Sequence, residues 1–135
     1  MKKEFITYDQ AAALKELGFD EKCFCYFDDD KELRTCVGLN NWNQHLGFPY
    51  FISVPLYQHA FRWLREKHKL FYTIETNCSQ LSSEWGFDYT IYDKGNDKWL
   101  STEPQNCPPG ETTYKTYEEA ESDCLNKLIK IVNNF

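Results

Sequence analysis

The sequence predicts an α+β fold, a small antiparallel sheet with three helices packed mainly on one face, and three observations lead there. Thr7 with Gln10 and Thr116 with Glu119 have the spacing of helix-opening capping boxes, each before an apolar run of helical period. A third helical pattern lies between them, from Pro55 to about Lys69. Short runs of period two, separated by turn-forming residues, fill the remainder, and strands joined by such short turns pair antiparallel.

Taken in order, the Thr7 hydroxyl can accept from the amide of Gln10 while the Gln10 side chain returns to the amide of Thr7, so a helix begins at about Tyr8. Ile6 and Ala11 stand at the two ends of a hydrophobic staple. Gly18 supplies the left-handed residue that ends the helix near Leu17, with Phe19 folding back on Leu14. Cys23 to Phe27 and Leu33 to Val37 are rich in aromatic and β-branched residues on either side of the acidic turn Asp28 to Glu32, which reads as a hairpin. Three asparagines, two glycines and a proline make Gly38 to Pro49 a long loop, followed by a short strand at Tyr50 to Ser53.

Pro55 suits a first helical turn, after which Leu56, Tyr57, Ala60, Phe61 and Leu64 recur at helical spacing. Leu70 to Thr76 and Phe87 to Ile91 alternate with period two and are expected to pair, and Lys94 to Asp97 turns the chain into a short strand around Trp99 and Leu100. Ser101 to Gly110, with three prolines, is a connecting loop. Tyr117, Ala120, Cys124, Leu125, Leu128, Ile129 and Val132 form the stripe of a long C-terminal helix.

Bulk properties narrow the function. The length of 135 residues fits a single domain over 1–135, and a hydrophobic fraction of 41% with 17% aromatic residues requires a packed core. A net charge of −6 opposes binding to duplex nucleic acid, which is driven by Lys and Arg contacts to phosphates. The charge is uneven: Glu84 to Asp123 is strongly acidic, whereas Arg62, Arg65, Lys67 and Lys69 make one helix locally cationic. Neither a secretion signal nor a membrane-length apolar run is read, so a cytoplasmic location without membrane contact is expected, with the six cysteines reduced.

Candidate chemistry is sparse. Cys23 and Cys25 share a strand face, and Cys36 is expected opposite Cys25, which would bring three sulfurs together. The local Cys-x2-Cys and His-x3-His spacings of structural zinc are missing, so buried thiols are the plainer reading and no metal is assigned. Asp28-Asp29-Asp30 reads as a solvated hairpin tip, since the calcium-loop pattern is lacking. With no phosphate-cradling glycine loop, nucleotide enzymes of those classes are disfavoured. His59 and His68 belong to the cationic helix face, where solvation is the default, while His45 shares a loop with Trp42 and is the functional candidate among the histidines. Candidate contact residues are therefore Trp42, His45, Arg62, Trp63, Arg65 and Trp85, with core packing as the plain alternative for each tryptophan. No catalytic residue and no cofactor is assigned.

Three stretches, ITYDQAAALKELGF, PLYQHAFRWLREKHKLF and TYEEAESDCLNKLIKIV, taken in this order, resemble a family of small proteins from Bacteroides-type bacteria and their phages that carries no assigned activity. The resemblance implies a bacterial or phage cytoplasm and an accessory role. It does not extend to the Cys-x-Cys strand or to Gly38 to Pro49. The expected function is a non-enzymatic phage or mobile-element accessory protein that binds a protein partner or a second copy of itself. The alternatives are a binder of a small anionic ligand, such as a nucleotide held by Arg62 and Arg65, and a small hydrolase using His45 or a cysteine.

Overall fold

The structure, a computed structural model, describes residues 2–44, 50–78, 85–100 and 114–134. It is α+β, with three α-helices and two three-stranded antiparallel sheets among the described residues. In chain order these are α1 (Tyr8–Glu16), β1 (Cys23–Phe27), β2 (Leu33–Asn40), β3 (Ile52–Val54), α2 (Tyr57–His68), β4 (Leu70–Cys78), β5 (Trp85–Asp93), β6 (Lys98–Leu100) and α3 (Tyr117–Asn133). The single sheet expected from the sequence is thus two. The ladder that begins with β1 closes at β3, α2 intervenes, and β4 then pairs along its whole length with β5. The helices divide accordingly, α1 packing on β3 and α3 on β4 and β5, in place of one shared face. Among the described residues no helix is long and apolar enough to cross a membrane. Two compact units are distinguished within the span read as one domain, Met1–Ala60 and Phe61–Phe135, and their boundary falls inside α2.

In the first unit, both legs of the capping box form: Thr7 Oγ1 accepts from Gln10 N at 3.3 Å, and Gln10 Oε1 accepts from Thr7 N at 3.0 Å. The staple residues Ile6 and Ala11 are buried. Gly18 takes φ +93°, Phe19 N donates to Leu14 O and Gly18 N to Lys15 O, which closes the helix by the paired bonds of a Schellman motif. The sheet order is β2-β1-β3. Asp28 organises the hairpin, its Oδ1 accepting from the amides of Asp30 and Glu32 while Oδ2 pairs with Arg34 Nε at 2.9 Å.

Beyond the hairpin the register is broken. Cys23 faces Asn40 and Cys25 faces Thr35, so Cys36 to Leu39 bulge out opposite Phe24. The expected loop from Gly38 consequently starts later, because Gly38 to Asn40 still belong to β2, and Trp42–Gln44 forms a 3-10 turn. Pro55 precedes α2, buried, with its carbonyl accepting from Ile6 N. The remainder of that loop and the expected loop at Ser101 to Gly110 lie outside the described residues.

In the second unit, β4 and β5 pair over nine residues without interruption, from Leu70↔Asp93 to Cys78↔Trp85, and β6 adds three pairs beyond β5. Lys69, at φ 57°, turns the chain from α2 into β4. The stripe of α3 is realised in its middle, where Ala120, Cys124, Leu125, Leu128 and Ile129 are buried, while Tyr117 is exposed and Val132 half-buried, and Thr116 Oγ1 accepts from Glu119 N at 3.1 Å. Strand alternation places Tyr72, Ile74, Phe87, Tyr89 and Ile91 on one face. That face meets α3 through Tyr89 with Asp123 and Phe87 with Tyr117, and Phe61 stacks on Tyr72 there at 3.9 Å between ring centroids.

Candidate interaction surface

The same alternation sends Phe71, Thr73 and Glu75 of β4, Asp88, Thr90 and Tyr92 of β5, and Trp99 of β6 to the opposite face of the second sheet. Register sets them in three rows. Phe71, Tyr92 and Trp99 are cross-strand neighbours, with the Tyr92 and Trp99 rings 5.0 Å apart. Thr73 faces Thr90, their hydroxyls 2.6 Å apart. Glu75 faces Asp88. Lys94 closes the aromatic end, its Nζ 5.7 Å from the centre of the Phe71 ring. Trp99 is 70% exposed, and Thr73, Glu75 and Thr90 are exposed. Two shallow depressions follow one another along this face. One of about 140 Å³ is lined by Phe71, Tyr72, Thr73, Thr90, Tyr92 and Trp99. The other, of about 170 Å³, shares Thr73 and Thr90 and reaches Glu75 and Asp88.

On the helix-bearing side, Asp123 is 8% exposed and accepts from the hydroxyl of Tyr89 at 3.0 Å and from that of Tyr114. Tyr114 in turn exchanges two backbone bonds with Phe87. Burial, reinforced by the Asp123 charge, holds the Tyr89 hydroxyl far above the ordinary tyrosine range. Tyr89 is therefore a proton donor locked onto a carboxylate, and the cluster fastens α3 and the Tyr114 segment to β5.

The sequence-derived candidates separate by burial. Trp42 is 7% exposed: its Nε1 donates to Cys23 O at 3.0 Å and its ring packs on Tyr26 at 4.3 Å, so it takes the core-packing reading. Trp63 is 3% exposed and meets His68 edge-on, so it does the same. Trp85 is 74% exposed at the start of β5, and Arg62 and Arg65 are exposed on α2. Neither arginine lines the depressions described here. His45 lies outside the described residues.

The three sulfurs do not converge as expected, because the bulge in β2 puts Thr35 opposite Cys25 and leaves Cys36 exposed. Cys23 and Cys25 are buried on one face of β1, and desolvation pushes the Cys23 thiol up to about 12 and raises Cys25 as well. Such thiols keep their protons and act as small apolar groups. His59, read as solvated, is half-buried instead, with its ring 5.5 Å from Phe19 and Nε2 3.8 Å from Glu21. The carboxylates of Asp28, Asp29 and Asp30 approach within 4.8 Å of one another. Asp28 is committed there to its turn, held below the usual carboxylate range first by the Glu32 amide and then by Arg34.

The rows on the second sheet were missed in the sequence because period two assigns two faces to a strand without saying which one a helix will cover. The alternation of Phe71, Thr73 and Glu75 against Asp88, Thr90 and Tyr92 was a readable signal only once the β4–β5 register is known. Comparison of the chain with protein-family models, with curated proteins and with solved structures finds no match, so its functional reading is built on its own geometry.

Proposed function

We propose that the protein is a non-enzymatic protein-interaction module and that the open face of the β4-β5-β6 sheet is its docking surface. The observation that carries this reading is the row Phe71, Tyr92 and Trp99, an aromatic strip with a 70% exposed tryptophan on a regular three-stranded platform. Exposed aromatic side chains are the residues that anchor protein interfaces, since each buries a large area for few rotatable bonds. A rigid ladder beneath them keeps the ordering cost of association low. The polar clusters elsewhere in the two units, around Asp28 and around Asp123, hold turns and helices in place, which favours binding over reaction. The resemblance to small Bacteroides-type and phage proteins adds an accessory context for such a module.

Affinity capture with the full chain and with Trp99→Ala as parallel baits tests the reading. Partners retained by the wild type should be lost by roughly 30-fold on the variant, as for a central tryptophan anchor worth about 2 kcal/mol. Equal retention by both baits, or retention by neither, counts against it.

A further inference from the structure

Apart from that docking face, we infer that the outer edge of β4 pairs antiparallel with the β4 edge of a second copy, joining two β4-β5-β6 sheets into one of six strands. The motive is a contrast among the strands that end the two sheets. Open edges invite pairing with another chain, and proteins blunt them with bulges, with very short strands or with charges, lysine above all. β2 is broken by the bulge at Cys36 to Leu39, β3 is three residues long, and β6 is three residues long and begins with Lys98. β4, LFYTIETNC, carries none of these devices: its nine residues run in unbroken register without proline, glycine or lysine, and Glu75 is its one charge. Thr73, Glu75 and Thr76 are exposed along it. Its aromatic and β-branched composition is that of a strand that pairs readily.

The β4–β5 ladder determines which backbone groups the edge offers. Lys69 O accepts from Lys94 N at 3.0 Å, one step before the Leu70↔Asp93 pair. The odd-numbered residues of β4 therefore exchange bonds with β5, and the even-numbered ones, Leu70, Tyr72, Ile74 and Thr76, direct N–H and C=O outward. Phe87, opposite Thr76, agrees with this alternation, since it sends its own two bonds away from β4 to Tyr114. Among the described residues no backbone bond from outside the sheet reaches those four residues. When two copies pair about a two-fold axis at Thr73 or at Ile74, even residues stand opposite even ones. Glu75 then faces Phe71 or Thr73 of the second copy and never its own image, so the one charge of the edge meets no like charge. This self-complementarity, with a closure that leaves neither β4 edge free, favours a second copy over an unrelated strand. Opposed residues point to the same side, so the open faces of the two sheets adjoin.

Sedimentation velocity of the full chain over a range of concentrations, with residue-resolved amide exchange, tests this. The wild type should dimerise, and the amides of Tyr72, Ile74 and Thr76 should lose protection on dilution while those of Phe71, Thr73 and Glu75, bonded to β5, keep it. Thr76→Pro removes one outward N–H from each copy and spares the ladder to β5, and should weaken the dimer about thirtyfold, as for two symmetry-related bonds. Trp99→Ala should leave the dimer intact, because β6 lies at the opposite end of the sheet. Circular dichroism and a melting curve verify the fold of Thr76→Pro, and should it fail to fold, the exchange pattern of the wild type decides alone. A monomer at every concentration, or a dimer whose outward amides exchange freely, overturns the inference. A dimer dispersed by Trp99→Ala but not by Thr76→Pro overturns it too and puts the contact on the open face. Partner capture indifferent to Trp99→Ala alongside an intact dimer counts against the docking face and leaves the edge pairing standing.

Discussion

The two sheets have three strands each, yet they are held in register by different means. In the first, β1 meets β2 through an interrupted ladder and β3 through three pairs, and much of the remaining order comes from side chains that reach backbone groups. Trp42 Nε1 donates to Cys23 O, Asn41 Nδ2 to Asp20 O and Asn43 Nδ2 to Phe19 O, while Asn43 Oδ1 accepts from Ser53 N and Lys15 Nζ donates to Phe51 O. The second needs little of this, because nine consecutive β4–β5 pairs fix the register through the backbone alone. A sheet that aligns itself can leave one face uncommitted, whereas a sheet aligned by its side chains has already spent them on folding.

Tryptophan truncation should separate the two regimes most sharply. Trp42→Ala removes a buried ring and its bond to Cys23 O, and should cost about 3–5 kcal/mol in urea unfolding. Trp99→Ala removes a ring that is mostly in water and should cost under about 1 kcal/mol, chiefly its contact with Tyr92. Similar losses at the two sites would break the distinction between a consumed and an uncommitted aromatic.

The buried face of the second sheet has its own committed polar group. Asp123→Ala leaves the hydroxyls of Tyr89 and Tyr114 without their shared acceptor, and should cost about 3 kcal/mol, each stranded hydroxyl contributing about 1–3 kcal/mol. Asp123→Asn keeps a carbonyl acceptor and should lose less. Thermal unfolding of the two variants checks the order, and equal stability of Asp123→Ala and wild type would remove the fastening role from this cluster.

Much of the fold was legible because local chemistry and packing agree along the helices. The Thr7 box, the Gly18 stop and the middle of the α3 stripe are each visible in a few adjacent residues, and these form as read. What was hidden depends on contacts between distant residues. Asn41 and Asn43 read as turn formers, but their amides fasten the 3-10 turn to the segments around Asp20, Phe19 and Ser53. Cys36 read as facing Cys25, but a bulge has no signature in strand composition. The acidic and aromatic rows were hidden for the same reason, since Glu75 and Asp88 are thirteen positions apart and only the ladder brings them together.

Alkaline titration sharpens the comparison on the first sheet. Below pH 9 the Cys23 thiol is protonated in both folded and unfolded chains, so its raised value costs nothing there. Above its ordinary value of 9.0 the unfolded chain releases the proton while the folded chain holds it until about 12, so stability falls as pH rises through this window. The loss between pH 9 and roughly pH 11 should be about 2 kcal/mol from this group, and Cys23→Ala should flatten it. Tyr72, raised to about 12 mainly by burial, adds a later loss on the second sheet. Peptide mapping after brief alkylation should find exposed Cys36 modified well before Cys23, Cys25 and Cys124.

The smallest expected effect lies on the exposed face of the second sheet. Glu75→Lys turns a like-charged cross-strand pair with Asp88 into an opposite-charged one, and should raise stability by a few tenths of a kcal/mol, since opposed pairs contribute about 0.2–1 kcal/mol. Raising salt from low to moderate concentration should reduce that gain, because the position is exposed and screened. An unchanged stability would show that Asp88, whose Oδ1 accepts from Tyr89 N, is held by its own contacts more than it is disturbed by Glu75.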